Sequence, residues 1–453
     1  MVRTTGHATY WSNEDVQAVV DVSRAAKVSN GTVAVTTDVK PILLGRSIYY
    51  AALIYTGVLL KSLWFSIVLQ ALLVGAVMIG ALRHFIDPAD RRFGIAAISL
   101  AVALATTSLA WFTSMLMPDF LTGLAVVSAA VMVTGWQRET RLGRLFWVAV
   151  AVLAALCHSS HLLILGAIAA IALAVGLLKL SAWRPGAIAL FAVVLVGICG
   201  ESAFMFGVTK ATGAEPIRPP FLTARLVEDG PGTAYLDAHC GESRFLLCRY
   251  RDRLPMGSDA FLWGGSAPNG VFKTLSNADQ RRLAAEQKDF VLAVVADRPF
   301  AVITSSAGAI LRQFGAWTLM EFNYGADDSA LMMPKIPEPD RTAFRASRGY
   351  AGTMPIDIAT IANCLWSGLG LIALAVAWRR RWQGVAQFGT VLTLGWIINT
   401  VICGAMSTPH DRYQSRIIWV LSLIVLASAA RLWAQRSRGT EAPAVHTGDT
   451  NAA

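Results

Sequence analysis

Apolar runs of about 20 residues recur along the chain and are separated by short polar segments. A run of that length, folded as an α-helix, crosses the roughly 30 Å hydrocarbon core of a bilayer. The pattern therefore predicts an all-α polytopic membrane protein with about nine transmembrane helices. The predicted spans are residues 62–82, 93–113, 121–136, the two halves of 145–178, 185–207, 356–378, 385–406 and 415–434.

The apolar stretch 145–178 is too long for a single span. As one helix it would measure about 51 Å at 1.5 Å per residue, which only a strong tilt fits into a bilayer. The polar break CHSSH (157–161) divides the stretch near its middle. We therefore predict two short spans that form a hairpin with this break at its tip.

Polar segments at both ends of the chain lie outside the predicted bundle. Residues 1–40 are polar with mixed charge and are predicted to be poorly ordered. Residues 41–61 are apolar but contain Arg46, so that an interfacial helix and a spanning helix are both open. The remaining predicted divisions are an N-terminal transmembrane bundle (62–207), a C-terminal transmembrane bundle (356–434) and a disordered cytoplasmic tail (435–453).

Residues 208–355, between the two bundles, are a different kind of sequence. They carry many charges, prolines and glycines, and only short amphipathic pieces. We predict a mixed, mainly helical domain outside the membrane. Its apolar piece 300–317 contains Arg312 and Gln313, which would face lipid in a span, so we favour a position on the membrane surface and keep a further span as the alternative.

The balance of charges gives an orientation. Of the 453 residues, 55% are hydrophobic and 15% are charged, against about 25% charged in an ordinary soluble domain. The net charge of +10 would favour nucleic acid in a soluble protein, but the basic residues flank apolar runs, where they act as topology signals. We therefore predict no nucleic-acid partner. The basic segments that fall on one side are 83–92, 137–144, 179–184, 379–381 and the tail.

That basic side is predicted to be cytoplasmic. The loops 114–118, 157–161 and 407–414 and the domain 208–355 then share the opposite side, which in a bacterium is the periplasm. The predicted location is thus the bacterial inner membrane, crossed several times, with the lipid bilayer as a partner. Cys240 and Cys248, eight residues apart in the domain, would form a disulfide in an oxidising compartment, with two free thiols as the alternative.

The predicted outer loops carry the candidate chemistry. The first loop ends with Asp119 and the second holds His158 and His161. Two histidines are too few for a zinc site, and we predict no metal-ligating set from the chain. The third loop supplies His410, Arg412 and Tyr413 and, one helical turn after Arg412, Arg416; guanidinium groups on the outer side suit a phosphate.

These loops resemble those of the GT-C class of polytopic glycosyltransferases, which take a sugar from a polyprenyl-phosphate carrier at the outer face. The resemblance rests on MPDFLTGL (117–124), on the hairpin tip CHSSH and on HDRYQSR (410–416), and it covers about 45–207 and 356–434. It implies that Asp119 is catalytic, either as the base or as an acid close to the metal. It also implies that the three histidines, both arginines and Tyr413 bind the substrate. The implied partner is a polyprenyl-phosphate-linked sugar, and a divalent metal is a possible cofactor.

The chain departs from the GT-C pattern at its start. No clean span precedes residue 62. Either the first transmembrane helix is missing, or 41–60 crosses the membrane despite Arg46. The family carries an acid close to the end of its first span, and the only acid just upstream in this chain is Asp38. Two other functions stay open: a lipid or solute transporter or flippase, which matched broken helices would favour, and an inactive membrane scaffold, which the missing span would favour.

Overall fold

The structure is a computed structural model that describes residues 42–44, 47–179, 181–242, 245–266, 268–323, 333–336 and 338–440. Across these residues the chain is helical, and an isolated bridge joins Leu43 to Ile217 without forming a strand. The prediction of a helical fold is confirmed for this part of the chain. The predicted segment 1–40 and residues 441–453 of the predicted tail (435–453) lie outside the described residues. Residues 435–440 of that tail, predicted to be disordered, instead form the end of the last helix, Ser422–Thr440.

Among the described residues, the N-terminal part contains eight α-helices, of which Phe120–Gly135 (α5) is the most enclosed. All of its residues except Thr134 are buried, because it packs against helices before and after it in the chain. The helices are α1 (Ile48–Leu59), α2 (Leu63–Leu82), α3 (Arg92–Ala105), α4 (Ser108–Ser114), α5 (Phe120–Gly135), α6 (Arg141–Cys157), α7 (Ser159–Leu178) and α8 (Arg184–Thr212).

The predicted hairpin in 145–178 forms with its tip at His158. This residue has an extended backbone and ends α6, and it also serves as the N-cap of α7, where its side chain accepts from the backbone N–H of Ser160. The tip is polar because the backbone groups at two helix ends need partners there.

The predicted span 93–113 is not one straight helix. It divides into α3 and α4, which meet at an angle of 80°. Thr106 and Thr107 each donate their hydroxyl group to the carbonyl three residues earlier, at 2.7 Å. Side-chain bonds of this kind compete with the helical ladder, and Thr107 also caps α4.

Among the described residues, the middle segment has seven short and medium helices, and the first four of them pack around an apolar core of its own, which includes Leu236, Phe261, Phe272 and Phe290. Its helices are α9 (Phe221–Glu228), α10 (Pro231–His239), α11 (Ser258–Trp263), α12 (Asn277–Asp297), α13 (Pro299–Gly315), α14 (Glu338–Arg345) and α15 (Arg348–Ala351).

Helix α13 covers most of the piece 300–317 and packs along the bundle helix Gln383–Met406, which follows it in the chain. A Cβ atom at Gly404 of that helix would lie 2.7 Å from Cα of Ile310, so that the two backbones touch. Gln313 is fully buried, whereas Phe300, Ile303 and Leu311 are exposed. One face of the helix, with the buried amide of Gln313, therefore packs against the bundle. The opposite face is apolar and exposed.

The C-terminal part completes the bundle with α16 (Ile356–Arg379), α17 (Gln383–Met406), α18 (Asp411–Ile418) and α19 (Ser422–Thr440). Within the described residues, seven helical segments are long and apolar enough to cross a membrane. The number rises to nine if the bent pairs α3–α4 and α12–α13 each count as one span. The chain is a multi-pass membrane protein.

The two ends of the bundle differ in chemistry. At one end the basic segments meet: His84 lies 3.6 Å from Glu139, and Trp183 donates to Gln387 at 3.3 Å. At the other end lie the loop before α5, the α6–α7 tip, the loop between α17 and α18, and the middle helical segment. The loops predicted to share a side thus share an end of the bundle.

Candidate functional site

The three loops of candidate residues meet around a buried guanidinium group. Arg416 on α18 is fully buried, and its Nη1 donates to Oδ1 of Asp119 at 2.8 Å. Its Nη2 donates to Ser160 Oγ at 3.1 Å and to Asn399 Oδ1 at 3.0 Å. Arg416 therefore joins the start of α5, the α6–α7 tip and α17 at one point.

Asp119 lies in the turn just ahead of α5 and is 6% exposed. Burial by itself raises the pKa of its carboxyl group, but the charge of Arg416 outweighs burial, and the pKa is lowered to about 2. The group is therefore a carboxylate at neutral pH. A carboxylate held in this way is a weak base, and its first task in this arrangement is to neutralise Arg416.

The two histidines of the second loop have different surroundings. His161 is fully buried, with Nδ1 at 3.0 Å from the carbonyl of Ala154 and Nε2 at 2.6 Å from Oγ1 of Thr122. Both of its ring nitrogens are engaged inside the bundle. His158 accepts the backbone N–H of Ser160 at Nδ1, and burial lowers its pKa to about 4, so that it is neutral with a hydrogen on Nε2.

Arg412 and Arg416 lie against the ring of Tyr413 from two directions. Each guanidinium carbon is 5.0 Å from the ring centroid, a distance at which a cation is attracted to an aromatic face. Arg412 is the more accessible of the two arginines, with 37% of its side chain exposed. Each arginine also has a buried Nε–H without a hydrogen-bond acceptor among the described residues.

His410 links this site to the middle helical segment. Its Nε2 lies 3.2 Å from Oδ2 of Asp259 on α11, and its Nδ1 lies 3.0 Å from Oε1 of Glu321. Hydrogen bonds to these two carboxylates raise the pKa of His410 to about 10. The imidazole is therefore a cation at neutral pH. Glu321 also approaches Arg412, at 3.7 Å from its Nε.

Gln313 of α13 holds the backbone of the same loop. Its Nε2 donates to the carbonyl of His410 at 2.9 Å, and its Oε1 accepts the N–H of His410 at 3.0 Å. Nearby, Thr408 donates to Glu228 of α9 at 3.0 Å. These bonds fix the loop that leads into α18, on whose first turn Arg412 lies, between the bundle and the middle segment.

Of the predicted site residues, Asp119, His158, Arg412, Tyr413 and Arg416 come together. His161 lies one turn inside the hairpin, with its ring 5.1 Å from that of His158, and the ring of His410 lies 5.2 Å from that of Tyr413. Cys240 and Cys248 are joined by a disulfide within the middle segment. No group of three or more His, Cys, Asp or Glu side chains suitable for a metal ion occurs among the described residues, and Asp38 lies outside them.

Sequence reasoning missed Asn399, Asp259, Glu321 and Gln313 as parts of the site. Asn399 had a usable signal, because a fully buried amide in an apolar span marks a functional or packing site. Gln313 had the same signal in the apolar piece 300–317. Asp259 and Glu321 had none, since they lie about 150 and 90 residues from His410 in the chain.

No family model matches the chain, and no curated protein or solved structure matches it. The function is therefore inferred from the geometry of the site.

Proposed function

We propose that this protein is a membrane glycosyltransferase-like enzyme that transfers a sugar from a polyprenyl-phosphate carrier to an acceptor on the outer face of the membrane, the periplasmic face in a bacterium. The observation that carries the proposal is the pair of arginines at Tyr413. Arg412 and Arg416 each have a buried N–H without an acceptor among the described residues. Buried donors of this kind call for a partner, and guanidinium groups suit phosphate.

Of the two arginines, Arg412 is the one that would contact the carrier phosphate. Arg416 has no exposed surface and already donates to Asp119, Ser160 and Asn399. Arg412 is partly exposed, and its nearest carboxylate is 3.7 Å away. Arg416 then acts by positioning. Its guanidinium group contacts the ring of Tyr413, as that of Arg412 does, and it holds the start of α5 and the α6–α7 tip in place.

In the proposed reaction the bond from the sugar's anomeric carbon to the phosphate oxygen breaks, and a bond to the acceptor oxygen forms. The carrier leaves as a phosphate, which the charge of Arg412 stabilises. The acceptor hydroxyl loses its proton to a base. Asp119 is the candidate base, although its bond to Arg416 makes positioning its stronger role. His158, with a hydrogen on Nε2, would donate a hydrogen bond from the hairpin tip.

The proposal is tested by sugar transfer in membranes that contain the full chain. Arg412→Ala is expected to lower the transfer rate by about 100-fold, the loss typical when one charge-stabilising donor is removed. Arg253→Ala is the matched control, because Arg253 also lies 5.0 Å from a tyrosine ring, that of Tyr250, but within the middle segment. Asp119→Asn is expected to lower transfer as well. Transfer at the wild-type rate in both Arg412→Ala and Asp119→Asn would overturn the proposal.

The bent helices favour a second candidate, a lipid flippase. Broken helices are typical of transporters, and the pairs α3–α4 and α12–α13 bend by 80° and 107°. At the first bend, however, the N–H of Ser108 is already bonded to Asn363 at 3.2 Å. Movement of a fluorescent polyprenyl phosphate between the two leaflets of proteoliposomes that contain the protein, without sugar transfer, would favour the flippase.

A further inference from the structure

Helix α11 of the middle segment presents one side chain directly to the site. Ser258, Phe261 and Leu262 are buried in the core of the segment, whereas Asp259 and Trp263 are exposed. Residues four apart lie on the same face of a helix. Because Asp259 reaches His410, the N-cap of α18, at 3.2 Å, this face of α11 borders the start of the helix that carries Arg412.

Trp263 is the aromatic member of this face and is 38% exposed. Its ring lies 6.2 Å from that of Phe221 on α9, which supports it from one direction. The ammonium group of Lys273 lies 5.3 Å from the ring centroid. The indole is thus held by neighbours, with Lys273 over its ring, and 38% of the residue remains exposed to a ligand.

Resting on the proposed function, we propose that the exposed face of α11, with Trp263 and Asp259, is the subsite for the sugar ring of the carrier-linked donor. A hexose has an apolar face of C–H groups and a rim of hydroxyl groups. An indole ring suits the first, and a carboxylate accepts hydrogen bonds from the second. Binding sites for small ligands usually combine such an aromatic surface with a few placed polar groups.

The position of this face relative to Arg412 supports the assignment. The hydrogen bond from His410 and the nearby charges of His410 and Arg412 together lower the pKa of Asp259. His410 and Glu321 link Asp259 to Arg412 through contacts of 3.2, 3.0 and 3.7 Å. A sugar attached to a phosphate on Arg412 would extend towards α11.

The test compares the affinity of the purified full-length protein for a short-chain prenyl phosphate and for its mannosyl and glucosyl esters. In the wild type, at least one ester is expected to bind about tenfold more tightly than the bare phosphate, the gain typical of one aromatic stacking contact. Trp263→Ala is expected to remove this difference and to leave the affinity for the bare phosphate unchanged, which also shows that the variant is folded. Trp263→Phe is expected to keep part of the difference.

Two controls separate the subsite from the phosphate site. Trp378→Ala removes an indole that is also partly exposed, at 48%, near the far end of α16, and is expected to change neither affinity. Arg412→Ala is expected to weaken all ligands alike. If the esters bind no better than the phosphate, or if Trp263→Ala keeps the full difference, the subsite is overturned while the carrier site stands. If no prenyl phosphate binds at all, the proposed function falls with it.

Discussion

Removal of the carboxylate beside Arg416 is expected to destabilise the bundle strongly. A pKa of about 2 for Asp119, against the ordinary 3.8, corresponds to about 2–3 kcal/mol of favourable interaction at neutral pH. Because the folded-state pKa is lowered, this contribution is present at neutral pH and is lost as the pH falls through about 2. In Asp119→Ala the guanidinium also stays buried with neutral acceptors only, so the total expected cost is about 3–5 kcal/mol.

The chain contains a matched ion pair for comparison. Arg225 and Asp229 are also buried and also lie 2.8 Å apart, but Arg225 keeps a second carboxylate, Glu228, at 3.0 Å. Burial raises the pKa of Asp229 in spite of Arg225, so its charge is not favoured by the fold. Asp229→Ala is therefore expected to cost about 1–2 kcal/mol, less than Asp119→Ala.

The assay is a thermal ramp of each variant in the same detergent at one scan rate, with the surviving monomer measured by size-exclusion chromatography. Asp119→Ala is expected to lower the melting temperature by about 5–10 °C, and Asp229→Ala by a few degrees. Asp119→Asn, which keeps the shape and one acceptor, should fall between wild type and Asp119→Ala. Equal losses for the two alanine variants, or a wild-type melting temperature for Asp119→Ala, would refute the reasoning.

Three further predictions follow from single features. Gly370→Ala places a Cβ atom 2.4 Å from the carbonyl oxygen of Leu421 and is expected to lower the free energy of unfolding by about 1–3 kcal/mol. In the control Gly368→Ala the Cβ atom meets nothing within 4 Å, so this variant should melt like wild type in the same thermal ramp. The raised pKa of His410 means that its bonds to Asp259 and Glu321 stabilise the fold fully below about pH 6.5. This stabilisation is lost as the pH rises through about 10. The melting temperature of wild type should therefore fall more between pH 7 and pH 10 than that of His410→Asn, and parallel curves would contradict this. The disulfide leaves four of six cysteines free, so alkylation of the unfolded chain should label four thiols before reduction and six after it; six before reduction would argue against the bridge.

The helical bundle could be predicted because apolar run length is a local property of the sequence. The boundary at the hairpin tip was equally local, since CHSSH interrupts an apolar stretch and His158 caps α7. The bend between α3 and α4 was not predicted, although Thr106 and Thr107 carry its physical cause. An apolar window averages over two threonines, whereas the helix responds to the two hydroxyl groups individually.

The position of α13 shows where local reasoning about polarity reaches its limit. Gln313 argued against a span because an amide should not face lipid. In the structure the same amide faces inward and bonds both backbone groups of His410, a partner about 100 residues away. The sequence could not supply this partner, because the pairing depends on how α13 packs against α17.

The candidate site was predicted in part for the same reason. Asp119 and Arg416 were singled out separately, from loop position and charge, and the structure joins them in one ion pair. That pair assigns different tasks to two arginines that looked equivalent in the sequence: Arg416 is enclosed and fully engaged, and Arg412 is partly exposed. Asp259 and Glu321 reach the site only through the folded middle segment.

The central claim is that Arg412 binds the phosphate of a polyprenyl carrier. The most direct measurement is an experimental structure of the protein in lipid with a polyprenyl phosphate added. The account predicts that the phosphate lies within hydrogen-bond distance of the Arg412 guanidinium, at about 2.7–2.9 Å, on the side that faces α11. A phosphate bound elsewhere on the protein, with Arg412 still paired to Glu321, would contradict it.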